Sequence, residues 1–138
     1  MATDDPVSVL DKLSDAWNGR DVDTVLALFS DDCEYEDVAL GQTWRGKSEL
    51  RKFVRDDVFG NIPDFTYVVK NRFATREWAA IEYELSGTPR RDPAGNPLPG
   101  KRFTVRGSSI LELRDSRIRR NSDYWDMATA MRQLGLGA

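Results

Sequence analysis

Histidine is absent from the 138 residues, and cysteine occurs once, at Cys33. Without histidine there is no Ser-His-Asp or Cys-His nucleophile pair. With a single cysteine as well, a zinc or copper site is not expected. One cysteine also excludes an internal disulfide, which fits a reducing compartment. No Asp-rich loop of the EF-hand kind occurs. No apolar run approaches the length of a membrane span. There is no excess of positive charge either: the formal net charge is -3, which gives no case for general nucleic-acid binding. Met1 to Pro6 has neither a basic n-region nor an apolar h-region. The expectation is a cytoplasmic protein that needs no metal and no cofactor. Acid/base chemistry is left to Asp, Glu, Tyr, Lys or Cys33.

What is present is ordinary for a folded protein. Hydrophobic residues make up 40% and charged residues 31%, and the length suits one domain, 1–138, with a real core. Asp5-Pro6 is a good helix start, a cap followed by a proline in the first helical position. Leu10, Leu13 and Trp17 follow at helical spacing, and Asn18-Gly19 reads as the stop. Asp21 caps a second predicted helix, striped by Val25, Leu26, Leu28 and Phe29. Ser30-Asp31-Asp32 reads as a turn, Cys33 to Val38 as a strand, and Leu40 to Gly46 as a loop. Lys47 to about Phe59 is a third amphipathic helix with Leu50, Phe53, Val54 and Val58 inward.

From Gly60 onward the period changes to two. Strands are predicted over 65–71, 77–86, 103–113 and 117–125, the last two joined by a tight Arg114-Asp115-Ser116 hairpin. The Pro- and Gly-rich stretch from Thr88 to Gly100 reads as a long flexible connection. Asp126 to Leu134 closes as a short helix with Asp126 as cap and Gly135 as stop. Three helices, with one early strand between the second and third, precede a run of strands: an α+β layout with one mostly antiparallel sheet. Helices covering a curved sheet on its concave side leave a cavity between the layers. On the last strand Arg119, Asn121, Asp123 and Trp125 share a face, which sets a carboxylate beside a large aromatic.

The segments Trp17-Asn18-Gly19-Arg20-Asp21, Ala27 to Cys33 and Trp44-Arg45-Gly46-Lys47-Ser48-Glu49-Leu50 resemble the nuclear-transport-factor-2-like (NTF2-like) superfamily. The ending, Arg106 to Ile110 through Asp123-Tyr124-Trp125-Asp126 and Arg132 to Gly135, is similar to its SnoaL-like polyketide-cyclase branch. The resemblance covers nearly the whole chain. It implies a cone-shaped α+β barrel with a deep apolar pocket, usually a homodimer through the outer face of the sheet. It does not fix the reaction, because members include cyclases, isomerases, dehydratases, epoxide hydrolases and non-catalytic binders. SnoaL-type cyclases use an acid/base Asp on the last strand, where Asp123 falls. Limonene epoxide hydrolases end similarly, but their partner Arg and Asp align with Ile81 and Tyr83. Ketosteroid isomerases place their base where Asp37 lies, while their oxyanion-hole residues align with Leu13 and Ser109. The chain thus matches two carboxylate positions of different relatives and the full machinery of none.

Each candidate has a plainer reading beside the functional one. Asp123 is either a desolvated acid/base raised toward neutrality, or a strand-end residue that pairs with Arg119 or Arg120 or caps the terminal helix. Asp37 is either a second pocket acid or a strand end at the cavity mouth, solvated or bonded to the following loop. Tyr35, Tyr83 and Asn121 could donate to a developing oxyanion, or be satisfied core and sheet residues. Trp17, Trp44, Phe53, Phe59, Phe65 and Trp125 shape a pocket or fill the core, with Trp44, in its loop, the best choice for a lid. Cys33 reads as buried filler. Arg90, Arg91, Lys101, Arg102, Arg106, Arg117, Arg119 and Arg120 read as a solvated exterior.

The expectation is a cofactor-independent enzyme in which Asp123 moves a proton on a small hydrophobic carbonyl compound, giving cyclisation or isomerisation through an enol. Tyr83, Asn121 or a water would steady the oxyanion, and Asp37 would assist. Tyr35, Trp17, Trp44, Phe53, Phe65 and Trp125 would bind the ligand. The alternatives are a non-catalytic module that binds a small ligand or a protein, and, third, an epoxide hydrolase.

Overall fold

The computed structural model describes residues 5–136. Helix α1 (Pro6–Gly19) starts where Asp5 accepts a hydrogen bond from Val7 N at 3.0 Å, with Pro6 at the first position. It ends with Arg20 in the left-handed region at φ 54. Its apolar stripe of Val9, Leu10, Leu13, Ala16 and Trp17 is buried. Helix α2 (Val22–Ala27) is capped by Asp21, which accepts from Asp23 N and Thr24 N. Helix α3 (Gly46–Lys52) continues over Phe53–Phe59 in wider π-type turns, burying Leu50, Phe53, Val54 and Val58. Helix α4 (Met127–Gln133) is capped by Asp126, which accepts from Thr129 N.

Six strands form one sheet: β1 (Phe29–Asp37), β2 (Gln42–Arg45), β3 (Thr66–Ala74), β4 (Trp78–Gly87), β5 (Phe103–Arg114) and β6 (Arg117–Trp125). Their order is β2-β1-β6-β5-β4-β3. Every neighbouring pair is antiparallel except β1 with β6, which run parallel. The sheet is curved, and the helices close its concave face, the α+β NTF2-like architecture expected. Alternation along the strands holds. Cys33, Tyr35 and Asp37 are buried on the inner face of β1, and Ala79, Ile81 and Tyr83 on that of β4. The β5–β6 hairpin turns through Asp115 and Ser116, both at positive φ (52 and 61), the twist that a two-residue hairpin favours.

Five expectations are corrected. Leu28 and Phe29 do not extend the second helix, which ends at Ala27; Phe29 begins β1. Ser30-Asp31-Asp32 is no turn: it belongs to β1, whose pairing with β6 shifts register between Phe29 and Glu34. Gln42 to Arg45, expected as loop, is β2, made a strand by antiparallel pairing with Glu34 to Asp37. Arg119 does not share the inner face with Asn121. The register slips between Glu112 and Leu113, leaving Arg119 as an extra residue that pairs with Asp32 (3.4 Å), while Ile118 turns inward. The Thr88 to Gly100 connection is not a loose one. Arg90 N and Arg91 N donate to Asn61 O and Oδ1, both at 2.9 Å, and Leu98 N donates to Arg90 O at 2.8 Å. Its tip closes around Asp92, which accepts from Asn96 N at 2.8 Å.

Candidate functional site

Between sheet and helices lies a cavity of about 770 Å³. This size suits an organic molecule of drug-like dimensions. Leu13, Trp17, Phe53, Phe65, Tyr67 and Leu85 give it an apolar wall, and Met127, Met131 and Leu134 of the terminal helix region line another part. Arg90 and Arg91, expected on a solvated exterior, are exposed but border this cavity through their tethered segment. Of the other basic residues, Arg102 pairs with Asp64 at 2.9 Å and Arg106 with Glu82 at 3.6 Å.

The polar part of the wall is built by strand register. On parallel β1 and β6, Tyr35 pairs with Asn121 and Asp37 with Asp123. On antiparallel β5 and β6, Ser109 pairs with Asp123 and Gly107 with Trp125. On β4 and β5, Tyr83 pairs with Gly107. All of the side chains so aligned face the cavity. Gly107 is needed among them because a Cβ there would stand 2.7 Å from Tyr83 Cε1 and 2.9 Å from Trp125 Cβ.

Asp123 is the centre of this group. It remains half-buried, bordering the cavity. Its Oδ1 accepts from Ser109 Oγ at 2.5 Å and from Asn121 Nδ2 at 2.6 Å, and its Oδ2 accepts from the Tyr35 hydroxyl. Burial pushes its pKa up from 3.8 to about 6, against the opposing pull of those donors. No ion pair to Arg119 or Arg120 holds it, so the plain surface-pair reading does not apply. Asp37, 6% exposed, accepts from Trp125 Nε1 at 3.0 Å on each oxygen and from Leu40 N at 2.9 Å. Burial raises its pKa as well, more than these hydrogen bonds lower it.

The tyrosines are donors and not bases in this setting. Burial raises the Tyr35 and Tyr67 hydroxyls well above their usual range, and Tyr83 likewise. Tyr83 Oη lies 3.0 Å from Ser109 Oγ, and its ring stacks on Tyr67 at 4.8 Å. Asn121 directs its amide N–H to Asp123. Trp17, Phe53, Phe65 and Trp125 border the cavity. Phe59 packs edge-on against Trp17 (5.7 Å) behind them. Trp44 does not serve as a lid: it lies on β2, stacked on Phe53 at 3.9 Å, outside the cavity lining. Cys33 is buried with its thiol pKa raised, as filler would be. Among the described residues, no three His, Cys, Asp or Glu side chains gather to hold a metal ion, and no helix is long and apolar enough to cross a membrane.

Ser109 carries no signal of a role in the sequence beyond occupying the place of an acid in ketosteroid isomerases. Its inward phase on β5 was readable. Its pairing with Asp123 required the β5–β6 register.

The sequence pattern described as SnoaL-like polyketide cyclase matches residues 7–134. The chain belongs to the SnoaL-like polyketide cyclase family. Solved structures share its fold. IdmH, a candidate polyketide cyclase from Streptomyces antibioticus, is 23% identical over 96% of this chain and 99% of its own, with a TM-score of 0.79. A candidate SnoaL-like polyketide cyclase from Jannaschia Sp. CCS1 is 17% identical over 96% and 93%, with a TM-score of 0.83. A Catenulispora acidiphila protein of ketosteroid isomerase-like fold, solved with trimethylamine, is 21% identical over 93% and 92%, with a TM-score of 0.80. No curated protein matches this SnoaL-like chain closely enough to add to these. At such identities the shared property is the fold.

Proposed function

We propose that this SnoaL-like protein is a cofactor-independent enzyme in which Asp123 acts as general acid/base on a hydrophobic carbonyl compound, with cyclisation or isomerisation through an enolate. The observation that carries this is the Asp123 carboxyl itself, at the wall of a cavity that sets apolar side chains beside polar ones, with its pKa raised to about 6. At pH 7 such a group is ionised roughly ten to one, so it can take a proton, and its conjugate acid is strong enough to return one. The C–H bond next to the carbonyl breaks, the proton goes to Asp123, and the electron pair moves onto the carbonyl oxygen. The second N–H of Asn121 or a bound water donates to that oxygen. Return of the proton at another carbon gives isomerisation; attack of the enolate carbon on a second carbonyl of the same molecule gives ring closure, with the π pair of that carbonyl moving to its oxygen, which takes the proton back from Asp123.

Deuterium uptake from heavy water into a panel of β-dicarbonyl compounds, read by mass spectrometry, tests the proton transfer. Asp123→Asn should lower the exchange rate by about 10²- to 10⁴-fold. Exchange at the unaltered rate in that variant would rule the mechanism out.

A non-catalytic binding role has one observation in its favour: three donors already hold Asp123, as they would a purely structural carboxylate. It requires ligand binding that survives Asp123→Asn, with no exchange in either protein. Epoxide hydrolysis is disfavoured because buried Ile81 and Tyr83 stand where an Arg and an Asp would be needed. We infer, from the resemblance, a homodimer through the outer sheet face, where Phe73, Trp78, Ile110 and Tyr124 are exposed.

A further inference from the structure

The two oxygens of Asp123 are not equivalent. A carboxylate oxygen has two lone pairs in the carboxyl plane. Oδ1 receives two donors, Ser109 Oγ at 2.5 Å and Asn121 Nδ2 at 2.6 Å, and is full. Among the described residues, Oδ2 receives only the Tyr35 hydroxyl, which leaves one lone pair. Taking up a proton at Oδ1 would require displacing a donor; at Oδ2 it does not.

Ser109 is itself held. Its single proton is committed to Asp123, so at the 3.0 Å contact with Tyr83 Oη it must accept, and the tyrosine hydroxyl donates. Ser109 is 3% exposed and Tyr83 2%, and the Tyr83 ring is stacked on Tyr67, so the two oxygens are held beside each other. The result is a chain of fixed polarity, Tyr83 to Ser109 to Asp123. Its first bond strengthens the second by polarising the serine O–H.

We propose that Ser109 is a positioning residue that fixes the Asp123 carboxyl, so that Oδ2 is the oxygen that exchanges a proton with the ligand, and that Ser109, backed by Tyr83, sets the acidity of that carboxyl. The proposal rests on Asp123 being the working acid. Ser109 touches no ligand in this scheme; it acts through the carboxylate. A hydrogen bond to the ionised form favours that form, so Ser109 counteracts the burial that raises the Asp123 pKa. Loss of the serine donor removes that restraint and opens a second lone pair on Oδ1.

The experiment is a ¹³C NMR titration of side-chain-labelled aspartate in the full chain, with Asp123 assigned by its absence in Asp123→Asn. It needs no ligand. In the unaltered protein Asp123 should titrate near pH 6. Ser109→Ala should move that midpoint up by roughly one pH unit, Ser109→Thr should restore it, and Tyr83→Phe should move it up by less. A folded Ser109→Ala protein in which Asp123 titrates as in the parent overturns the proposal. If Ser109→Ala does not fold, Tyr83→Phe decides: an upward move of the midpoint supports the chain, and an unmoved midpoint overturns it. Whether Asp123 is the working acid is read separately, from the exchange assay on Asp123→Asn, so the two failures are distinguishable.

Discussion

Asp37 and Asp123 are register partners on the parallel strands β1 and β6, and both carboxyl groups border one cavity. They are held by different donors: Trp125 and Leu40 for Asp37, and Tyr35, Ser109 and Asn121 for Asp123. Burial raises the pKa of both, and the charge of Asp37 raises that of Asp123 further. Burial, and not the neighbouring carboxyl, is the larger cause of the rise at Asp123.

A pH dependence of stability follows. The folded pKa of Asp123, about 6, lies above its ordinary value of 3.8. Between those two values the folded chain binds more protons than the unfolded one, so stability falls as pH rises through the window and levels off above it. Holding Asp123 ionised in the folded chain therefore costs at most about 3 kcal/mol, since each pH unit of that window is worth about 1.4 kcal/mol. Asp32, held by Arg114 near pKa 2, works the other way, but its contribution is lost only below about pH 3.8. The thermal midpoint should therefore be higher at pH 5 than at pH 7.5, and Asp123→Asn should reduce that difference. An equal slope in both proteins would contradict this account.

Gly107→Ala tests the close packing behind the site. The added Cβ would meet Tyr83 Cε1 at 2.7 Å, Trp125 Cβ at 2.9 Å and Tyr124 O at 3.1 Å, and two of these atoms belong to side chains that line the cavity. Overpacking of this kind should cost about 1–3 kcal/mol in denaturant unfolding and change the near-ultraviolet circular dichroism of the aromatic wall. Parent-like stability would mean that the strands part there more easily than the contacts imply.

Trp44→Ala separates a core role from a lid. Trp44 is stacked on Phe53 and within 6.1 Å of the Tyr35 ring. Its truncation should lower stability by about 1–3 kcal/mol, while binding of a fluorescent apolar probe to the cavity changes by less than tenfold. Unchanged stability with a large loss of probe affinity would restore the lid.

The outer face offers a test of the proposed dimer. Phe73, Ala80, Ile110 and Ser122 are successive register partners across β3, β4, β5 and β6, with Ile110 near the middle. Ile110→Asp should give a monomer in sedimentation equilibrium at concentrations where the parent is a dimer. A parent chain that sediments as a monomer would sink the proposal.

Much of the frame could be read from the residues because it depends on short-range rules. Asp5, Asp21 and Asp126 were legible as caps, since a side-chain oxygen near free N–H groups is a local relationship. The inner faces Cys33-Tyr35-Asp37 and Ala79-Ile81-Tyr83 followed from a period of two. Strand β2 was not legible, because Gln42 to Arg45 carry no strong pattern and are ordered by their partner. Nor was the tether of Arg90 and Arg91 to Asn61, which joins groups 30 residues apart.

By itself, the sequence determined the α+β layout, the absence of histidine chemistry, and the inward residues of the strands that alternate without interruption, because composition and periodicity are properties of neighbours along the chain. Tertiary structure decided the rest. The parallel pairing of β1 with β6 set Asp37 and Tyr35 beside Asp123 and Asn121, and the β5–β6 register added Ser109. The extra residue at Arg119 turned that arginine toward Asp32 and away from the inner face. These contacts depend on which strands meet and in what register, and a slip of one residue would reverse every inward face.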